Sequence, residues 1–482
     1  MVKPNPKTRV STYFNLKRSQ SVLDFVDIPI GKDVPVFLDP SRLRAMPSTW
    51  ASECVSLLQT YFHTLLEHLR AGRKSEGIAL LTELSERNEF HLGLSKGTSA
   101  GKAIGREFAE RIWKALAKSA AARSGLLQDL EDTCLFIEGI GPDRLSDAVC
   151  NIIRGPLIRY TQMMCRYYGI PLTKDVASGP VWDPVRKGWS DSLVELPVGP
   201  FGILLLTPKL AVRHRLSYDP QQYYTHFLLP TMQAAEKQLN TALVRTLKDG
   251  RKRVTKKDLR NKYGADKLAI SVQTQRLPDA LDEFRLAHRT SQPLDHKTLA
   301  DVERSPAPDF AKLLDDVCNL SPGNDDAPAY EDAVEKLLSA LFYPSLAFPT
   351  KQHALHDGRK RVDITYVNEA QRGFFAWLAL HYPCAHIFIE CKNYGKELAN
   401  PELDQISGRF SQRRGRVGLL VCRSLEKAAL MEKRCRDTAD DDRGFVIALT
   451  DADLKQLVKD YLDGDASPEY PLLRQKFGKL IN

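Results

Sequence analysis

The chain has 482 residues, of which 43% are hydrophobic and 27% are charged. These values are typical of an ordinary globular protein that is long enough for several domains. The formal net charge of +9 favours contact with polyanions such as nucleic acids. The best apolar run, residues 373–380, is far too short to cross a bilayer, so we expect no membrane contact.

Cysteine usage indicates a reducing compartment. The nine cysteines form no Cys-x-x-Cys pair, which argues against a disulfide framework and against a structural zinc site. The first residues are basic, but no hydrophobic signal core follows them. We therefore predict a cytoplasmic protein with a flexible basic leader.

The first 304 residues are predicted to form a mainly helical α+β region for recognition or regulation. Helical periodicity covers residues 46–71, 103–130, 142–168 and 220–247, and strand-like runs lie at residues 34–38, 133–138 and 201–206. A second copy of the chain or a partner protein is expected to bind through this region. On the helix at 142–168, one face carries Asp143, Asp147, Asn151 and Arg154. Such a face forms a binding site or, far more often, meets solvent or a polar neighbour.

A basic stretch follows at residues 248–267, where nine lysines and arginines are interleaved with only three aspartates. Thr255 is a predicted helix N-cap within this stretch. Contacts with a phosphate backbone would use Lys252, Lys256, Lys257 and Arg260. A solvated basic helix or a connector between domains is an equally common use of such a charge run.

Two breaker-rich segments, at residues 305–308 and 321–328, bracket a short helix-like piece. They predict a linker over residues 305–329, ahead of a second domain at residues 330–482. That domain begins with a helix at 330–342, in which Glu331 borders the apolar stripe more closely than Glu335 does. An acid in that position needs a cation.

Two strand-like runs in the second domain carry the chemistry. Asp363 lies in the run at residues 361–366, and Glu390 and Lys392 lie in the run at residues 386–392. Alternate residues of a strand share a face, so Glu390 and Lys392 point the same way. If the strands are neighbours, two carboxylates and one amine meet at one rim. These groups suit hydrolysis of a phosphodiester with Mg²⁺.

The context of these strands is also informative. An inserted helix is predicted at residues 373–380, an amphipathic helix carrying Gln405 at 401–414, and a further strand at 417–422. Over residues 328–455, this order resembles the PD-(D/E)XK, restriction-endonuclease-like nuclease superfamily. The resemblance departs from the family pattern at Val362, where a proline is usual. It implies an α/β domain with a mixed sheet flanked by helices.

The resemblance also implies roles for individual residues. Asp363, Glu390 and the Cys391 carbonyl would hold Mg²⁺, for which Mn²⁺ is expected to substitute. Lys392 would orient or deprotonate the metal-bound water, and Glu331 would support a metal ion or its coordination shell. Gln405 would approach the nucleic acid or Lys392. Three basic residues lie beside this site: Arg409, Arg413 and Arg414. They are better placed than the earlier basic stretch to bind the phosphate backbone of a nucleic acid.

We therefore predict a Mg²⁺-dependent endonuclease. DNA is favoured over RNA because most members of the family that the chain resembles cut DNA. A role in restriction or antiphage defence is an analogy, and repair or mobile-element processing stays open. One alternative is a non-catalytic nucleic-acid-binding or scaffold protein with a nuclease-like fold. Another is that the acids and the lysine are ordinary surface charges or one cross-strand ion pair.

Overall fold

The computed structural model describes residues 5–84, 87–93, 105–119, 121–122, 125–288, 292–355, 360–394, 398–464 and 469–482. The chain is mixed α/β, 51% helical, with a five-stranded mixed sheet in its C-terminal region. Within these ranges, no helix has both the length and the apolar character to cross a membrane.

The first 304 residues are mainly helical. Their α-helices are Val10–Tyr13 (α1), Pro40–Ala45 (α2), Thr49–Arg70 (α3), Lys74–Thr82 (α4), Arg106–Lys118 (α5), Asp132–Phe136 (α6), Pro142–Ile152 (α7), Arg154–Tyr168 (α8), Pro220–Tyr223 (α9), Leu229–Leu239 (α10), Lys256–Tyr263 (α11), Lys267–Arg276 (α12), Asp279–His288 (α13) and His296–Glu303 (α14). A π-helical turn, Tyr224–Leu228, joins α9 to α10.

The same region also contains short antiparallel strand pairs. The strands are Phe37–Leu38 (β1), Thr173–Ala177 (β2), Val181–Asp183 (β3), Gly188–Ser190 (β4), Leu193–Leu196 (β5), Val198–Gly199 (β6), Gly202–Ile203 (β7), Val212–Arg213 (β8), Arg245–Thr246 (β9) and Lys252–Arg253 (β10). The pairs are β1 with β8, β2 with β5, β3 with β4, β6 with β7, and β9 with β10.

Several predicted elements of this region differ from the observed ones. The helix predicted at 103–130 is wrong in its extent, because α5 ends at Lys118 and residues 125–130 are not helical. The predicted strand at 133–138 is wrong, because α6 occupies most of it; the Asp132 carboxylate accepts the Gln128 and Asp129 amides there and pairs with Arg285 at 2.6 Å. The helix predicted at 142–168 is interrupted at Ile153, where α7 ends and α8 begins. Pro156 lies in the first turn of α8, a position in which a helix tolerates proline. The helix predicted at 220–247 ends at Asn240, which is left-handed at φ 49°.

The polar face predicted on residues 142–154 is buried at its C-terminal end, whereas Asp143 is exposed. Arg154 is fully buried, and its Nη1 donates to Glu89 Oε2 at 2.7 Å. Asn151 is also buried, and its Nδ2 donates to the Asp147 carbonyl. These contacts match the more common alternative, a polar face packed on a polar neighbour.

The C-terminal region surrounds one sheet. Its helices are Ala327–Leu341 (α16), Gly373–His381 (α17), Asn400–Ser407 (α18), Ala428–Asp440 (α19), Asp451–Asp463 (α20) and Pro471–Ile481 (α21), preceded by Phe310–Cys318 (α15). Its strands are Leu346–Leu355 (β11), Lys360–Asn368 (β12), His386–Lys392 (β13), Val417–Cys422 (β14) and Phe445–Thr450 (β15). They pair in chain order, antiparallel from β11 to β13 and parallel from β13 to β15. The predicted helix at 401–414 ends early, because Gly408 follows α18 and Ser411 then pairs with Gly415 in a turn.

The two regions share their packing. Val22 belongs to the C-terminal core, and Phe348 of β11 packs against Trp50 and Tyr160, with ring centroids 5.6 Å apart in both pairs. Asp24 Oδ1 accepts the Phe348 amide at 2.9 Å. The segment predicted as a linker, residues 305–329, contributes α15, whose apolar side chains are buried in the C-terminal core. The chain between the regions is therefore packed against the second one.

Candidate active site

Strands β12 and β13 bring the predicted acids together. They are antiparallel neighbours, and Ile364 pairs with Ile389 in their register. The Cys391 amide donates to Asp363 Oδ2 at 2.8 Å, which fixes the Asp363 carboxylate beside the end of β13. The pairing of β12 with β13 meets the condition under which alternation brings the two acids and the lysine to one rim.

Glu390 is the centre of a polar network. Its side chain is fully buried, and its Oε1 accepts Lys392 Nζ at 2.9 Å and Gln405 Nε2 at 2.5 Å. Its Oε2 accepts Arg409 Nη1 at 2.7 Å. A buried carboxylate is tolerated when cations and donors satisfy its oxygens, as they do here. Burial, followed by repulsion from Asp363, raises the pKa of Glu390.

Lys392 is held between two acceptors. Its Nζ donates to Gln405 Oε1 at 2.9 Å as well as to Glu390, and only 10% of its side chain is exposed. Burial by itself lowers the pKa of Lys392, but the Glu390 carboxylate offsets this, so the net pKa lies above its ordinary value. The amine is therefore charged in this arrangement and acts first as a hydrogen-bond donor.

Glu331 of α16 completes the group of acids. It is half-buried, and burial followed by repulsion from Asp363 raises its pKa to about 7, with Glu390 and Asp332 contributing further repulsion. Neighbouring carboxylates that raise one another's pKa form a site of negative potential. A bound cation would relieve this repulsion.

The prediction that Glu331 lies closer to the apolar stripe than Glu335 was wrong. Glu335 is fully buried, because Arg18 of the first region reaches it at 2.6 Å. Arg18 also pairs with Asp332 at 2.8 Å. The sequence shows Arg18 only as one of several basic residues near the chain start, so no local signal identified this contact.

The three arginines beside the site differ in environment. Arg409 was predicted to bind the phosphate backbone of a nucleic acid, but it is only 6% exposed and its guanidinium pairs with Glu390. The buried carboxylate attracts the cation inward, which sequence spacing alone did not indicate. Arg413 is exposed, whereas Arg414 is half-buried and donates to the Arg409 carbonyl at 3.2 Å.

The basic stretch forms the hairpin β9–β10 and helix α11. Thr255 caps α11, its Oγ1 accepting the Asp258 amide at 3.1 Å, as predicted. Lys252 and Lys257 are exposed. The other two cations are partly engaged: Lys256 Nζ donates to the Thr225 carbonyl at 2.7 Å, and Arg260 lies 5.7 Å from the centroid of the Tyr224 ring. The stretch is anchored in the first region and is not a connector between domains.

The ligand set that the resemblance implied consists of two carboxylates and one backbone carbonyl. Asp363, Glu390 and Cys391, which supply these groups, lie together at the rim. Across the described ranges, no group of three or more His, Cys, Asp or Glu residues could hold a metal ion. The set therefore depends on the carbonyl as its third donor.

A family model described as "Domain of unknown function (DUF8370)" matches residues 15–219. This stretch lies within the first region and covers less than half of the chain. No curated protein matches the chain. No solved structure matches it.

Proposed function

We propose that this protein is a Mg²⁺-dependent endonuclease that hydrolyses DNA, with a restriction-endonuclease-like C-terminal domain of the PD-(D/E)XK type. One observation carries the proposal: Asp363, Glu390 and Lys392 lie together at one rim of the sheet, as the motif requires. Glu331 faces the same acids from α16, and Gln405 bonds both Glu390 and Lys392 from α18. Five polar groups from four elements thus converge.

The donor chemistry fits a hard divalent cation. Asp363, Glu390 and the Cys391 carbonyl supply oxygen ligands, which Mg²⁺ and Mn²⁺ prefer. Such a cation, when bound, neutralises phosphate charge and acidifies a bound water. After burial, repulsion from Asp363 contributes to the raised pKa of Glu331 and of Glu390, and a cation beside Asp363 would relieve that repulsion.

The remaining residues of the site orient Lys392 and neutralise the charge of Glu390. Gln405 Oε1 accepts a hydrogen bond from Lys392 Nζ, which holds the amine beside Glu390. Arg409 balances the charge of Glu390 in the buried interior. Lys392 would hold the attacking water and stabilise negative charge that develops on the phosphate.

The hairpin β9–β10 and α11 are proposed as a second contact with nucleic acid, through Lys252 and Lys257 above all. A restriction or antiphage role is the biological setting suggested by analogy. The alternative from another class is a non-catalytic nucleic-acid-binding or scaffold protein with the same fold. All of its polar residues would then be structural, and no cleavage would occur.

The deciding experiment incubates the full-length protein with supercoiled plasmid, linear duplex, single-stranded DNA and RNA. We expect DNA cleavage with Mg²⁺ or Mn²⁺ and none with excess EDTA. Cleavage confined to RNA would contradict the choice of DNA. Tight binding of nucleic acid without cleavage of any substrate in either metal would favour the non-catalytic alternative.

Lys392→Ala is expected to lower the single-turnover rate about 100-fold while affinity for DNA changes little, because the amine acts on the water or on developing charge. Lys392→Arg should not restore the rate, since a guanidinium is larger and does not give up its proton. Rates come from single-turnover cleavage, and affinities from binding with metal chelated. Lys433→Ala, at an exposed position on α19, is the control. If Lys392→Ala loses affinity for DNA but keeps the single-turnover cleavage rate, Lys392 binds a phosphate and does not act in the chemical step.

Replacing Lys252 and Lys257 together by alanine is expected to weaken DNA binding regardless of sequence. Each lost phosphate contact lowers the slope of log affinity against log salt by about one unit, so we expect a change of about two. Lys256→Ala should change the slope less, because its amine is held by the Thr225 carbonyl. The double variant Lys74→Ala with Lys114→Ala removes the same charge from other exposed positions. An unchanged slope would mean that the hairpin and α11 are merely solvated.

A further inference from the structure

A cavity of about 860 Å³ lies in the first region, away from the residues of the candidate active site. Loops that carry Lys7, Lys32 and His214 form it together with α14 and its C-cap residue Arg304. Cavities that bind small molecules commonly have volumes of about 300–1,000 Å³. This cavity is therefore large enough for a cofactor-sized ligand.

Cations converge on this cavity from distant parts of the chain. Lys7, Lys32 and Arg304 line it, and no carboxylate of the described ranges pairs with any of them. Arg9 also lines it, but its guanidinium donates to the carbonyls of Asp27 and Glu303. Unpaired cations held around one concave surface attract a multiply charged anion.

The acids of the cavity do not cancel this charge. Glu303 is buried, and its Oε2 lies 3.7 Å from Arg9 Nη1. Burial raises the pKa of Glu303 to about 8, although Arg9 opposes this shift. Asp33 lies 3.6 Å from the His91 ring, and Asp301 is exposed. Four cationic side chains thus line the cavity with three carboxyl groups, and the formal balance is positive even with Glu303 counted as an anion.

Part of the lining is apolar. Pro29, Val34, Pro35 and Val302 contribute to the same cavity, beside the cations. An apolar wall next to a cluster of cations suits a ligand that has both a flat ring system and phosphates. We propose that this cavity binds a nucleotide, with its phosphates among Lys7, Lys32 and Arg304 and its base on the apolar wall.

The test is calorimetric titration of the full-length protein with ATP and GTP, with metal chelated to suppress binding at the candidate active site. Replacing Lys7 and Lys32 by alanine and Arg304 by asparagine should weaken binding about tenfold, from three exposed ionic contacts. Asparagine is chosen because position 304 has a left-handed backbone with φ 54°, which asparagine tolerates. The control variant, Lys74→Ala with Lys114→Ala and Lys459→Ala, removes the same charge from exposed positions elsewhere.

Two further ligands separate the parts of the proposal. Adenosine should bind more weakly than ATP because it lacks phosphates, and inorganic triphosphate should bind more weakly because it lacks a base. Asp363→Asn should leave nucleotide binding unchanged, so the outcome is independent of nuclease activity. The proposal is overturned if neither nucleotide binds at millimolar concentration, or if the cavity variant binds as tightly as the wild type. Equal affinity for inorganic triphosphate and ATP would refute the place given to the base.

Discussion

Asp363→Asn is expected to reduce DNA cleavage at least about 100-fold while the protein stays folded. Asparagine keeps the shape of the side chain and can still accept the Cys391 amide through its carbonyl oxygen. It removes the charge that a divalent cation needs and relieves the repulsion that raises the pKa of Glu331 and Glu390. We therefore expect unchanged or slightly higher thermal stability without metal, and a smaller stabilisation by Mg²⁺.

The measurements are cleavage rates at saturating Mg²⁺ and melting temperatures with and without metal. Asp404→Asn is the matched control, because this carboxylate lies on α18 one residue before Gln405 but is 56% exposed. Wild-type cleavage by Asp363→Asn would refute the site. Glu390→Gln is a poorer test, because it leaves Lys392 and Arg409 without their buried anionic partner and is expected to destabilise the fold as well.

Arg18→Ala is expected to lower the free energy of unfolding by about 3 kcal/mol, because it leaves a buried carboxylate without its main cation. The side chain of Glu335 is fully buried and that of Arg18 is 8% exposed. Lys351 Nζ lies 3.7 Å from Glu335 Oε2 and still offsets part of the buried charge. The loss of stability should therefore fall at the lower end of the range for breaking a buried ion pair. Burial alone would lower the pKa of Arg18, but the Glu335 carboxylate offsets this and the pKa is raised.

Chemical denaturation at neutral pH measures this effect. Arg159→Ala is the control: it breaks the pair of Arg159 with Glu53, whose side chains are 57% and 48% exposed, and should cost less than about 1 kcal/mol. Arg18→Met combined with Glu335→Met should recover much of the lost stability, because two apolar side chains replace the ion pair. A loss for Arg18→Ala no larger than for the control would show that the contact between the regions is weak.

Arg18→Ala also bears on the candidate active site. Arg18 holds Asp332 and Glu335 on the same helix that carries Glu331. The first region therefore fixes the helix from which Glu331 faces the other acids. For this reason, the full-length chain is the proper material for every cleavage assay.

Sequence patterns predict those elements of the C-terminal region in which apolar and polar residues alternate or repeat with a regular period. Alternation placed Glu390 and Lys392 on one face of β13, because side chains of a strand repeat every two residues. The meeting of these residues with Asp363 at one rim also required that β12 and β13 be neighbours, which the structure shows. Periodicity predicted α16 and α17, and Thr255 predicted the start of α11, because caps and apolar stripes act over a few residues.

The environments of the charged residues depend on tertiary contacts that sequence patterns do not show. Glu335 is buried because Arg18, over 300 positions earlier, reaches it. Arg409 faces inward because Glu390 is buried and needs a second cation. Residues 132–136 are helical although their apolar run also suits a strand, and the buried Asp132 carboxylate pairs there with Arg285. In each case the partner is distant in sequence, and the energy of a buried charge depends on that partner and not on local pattern.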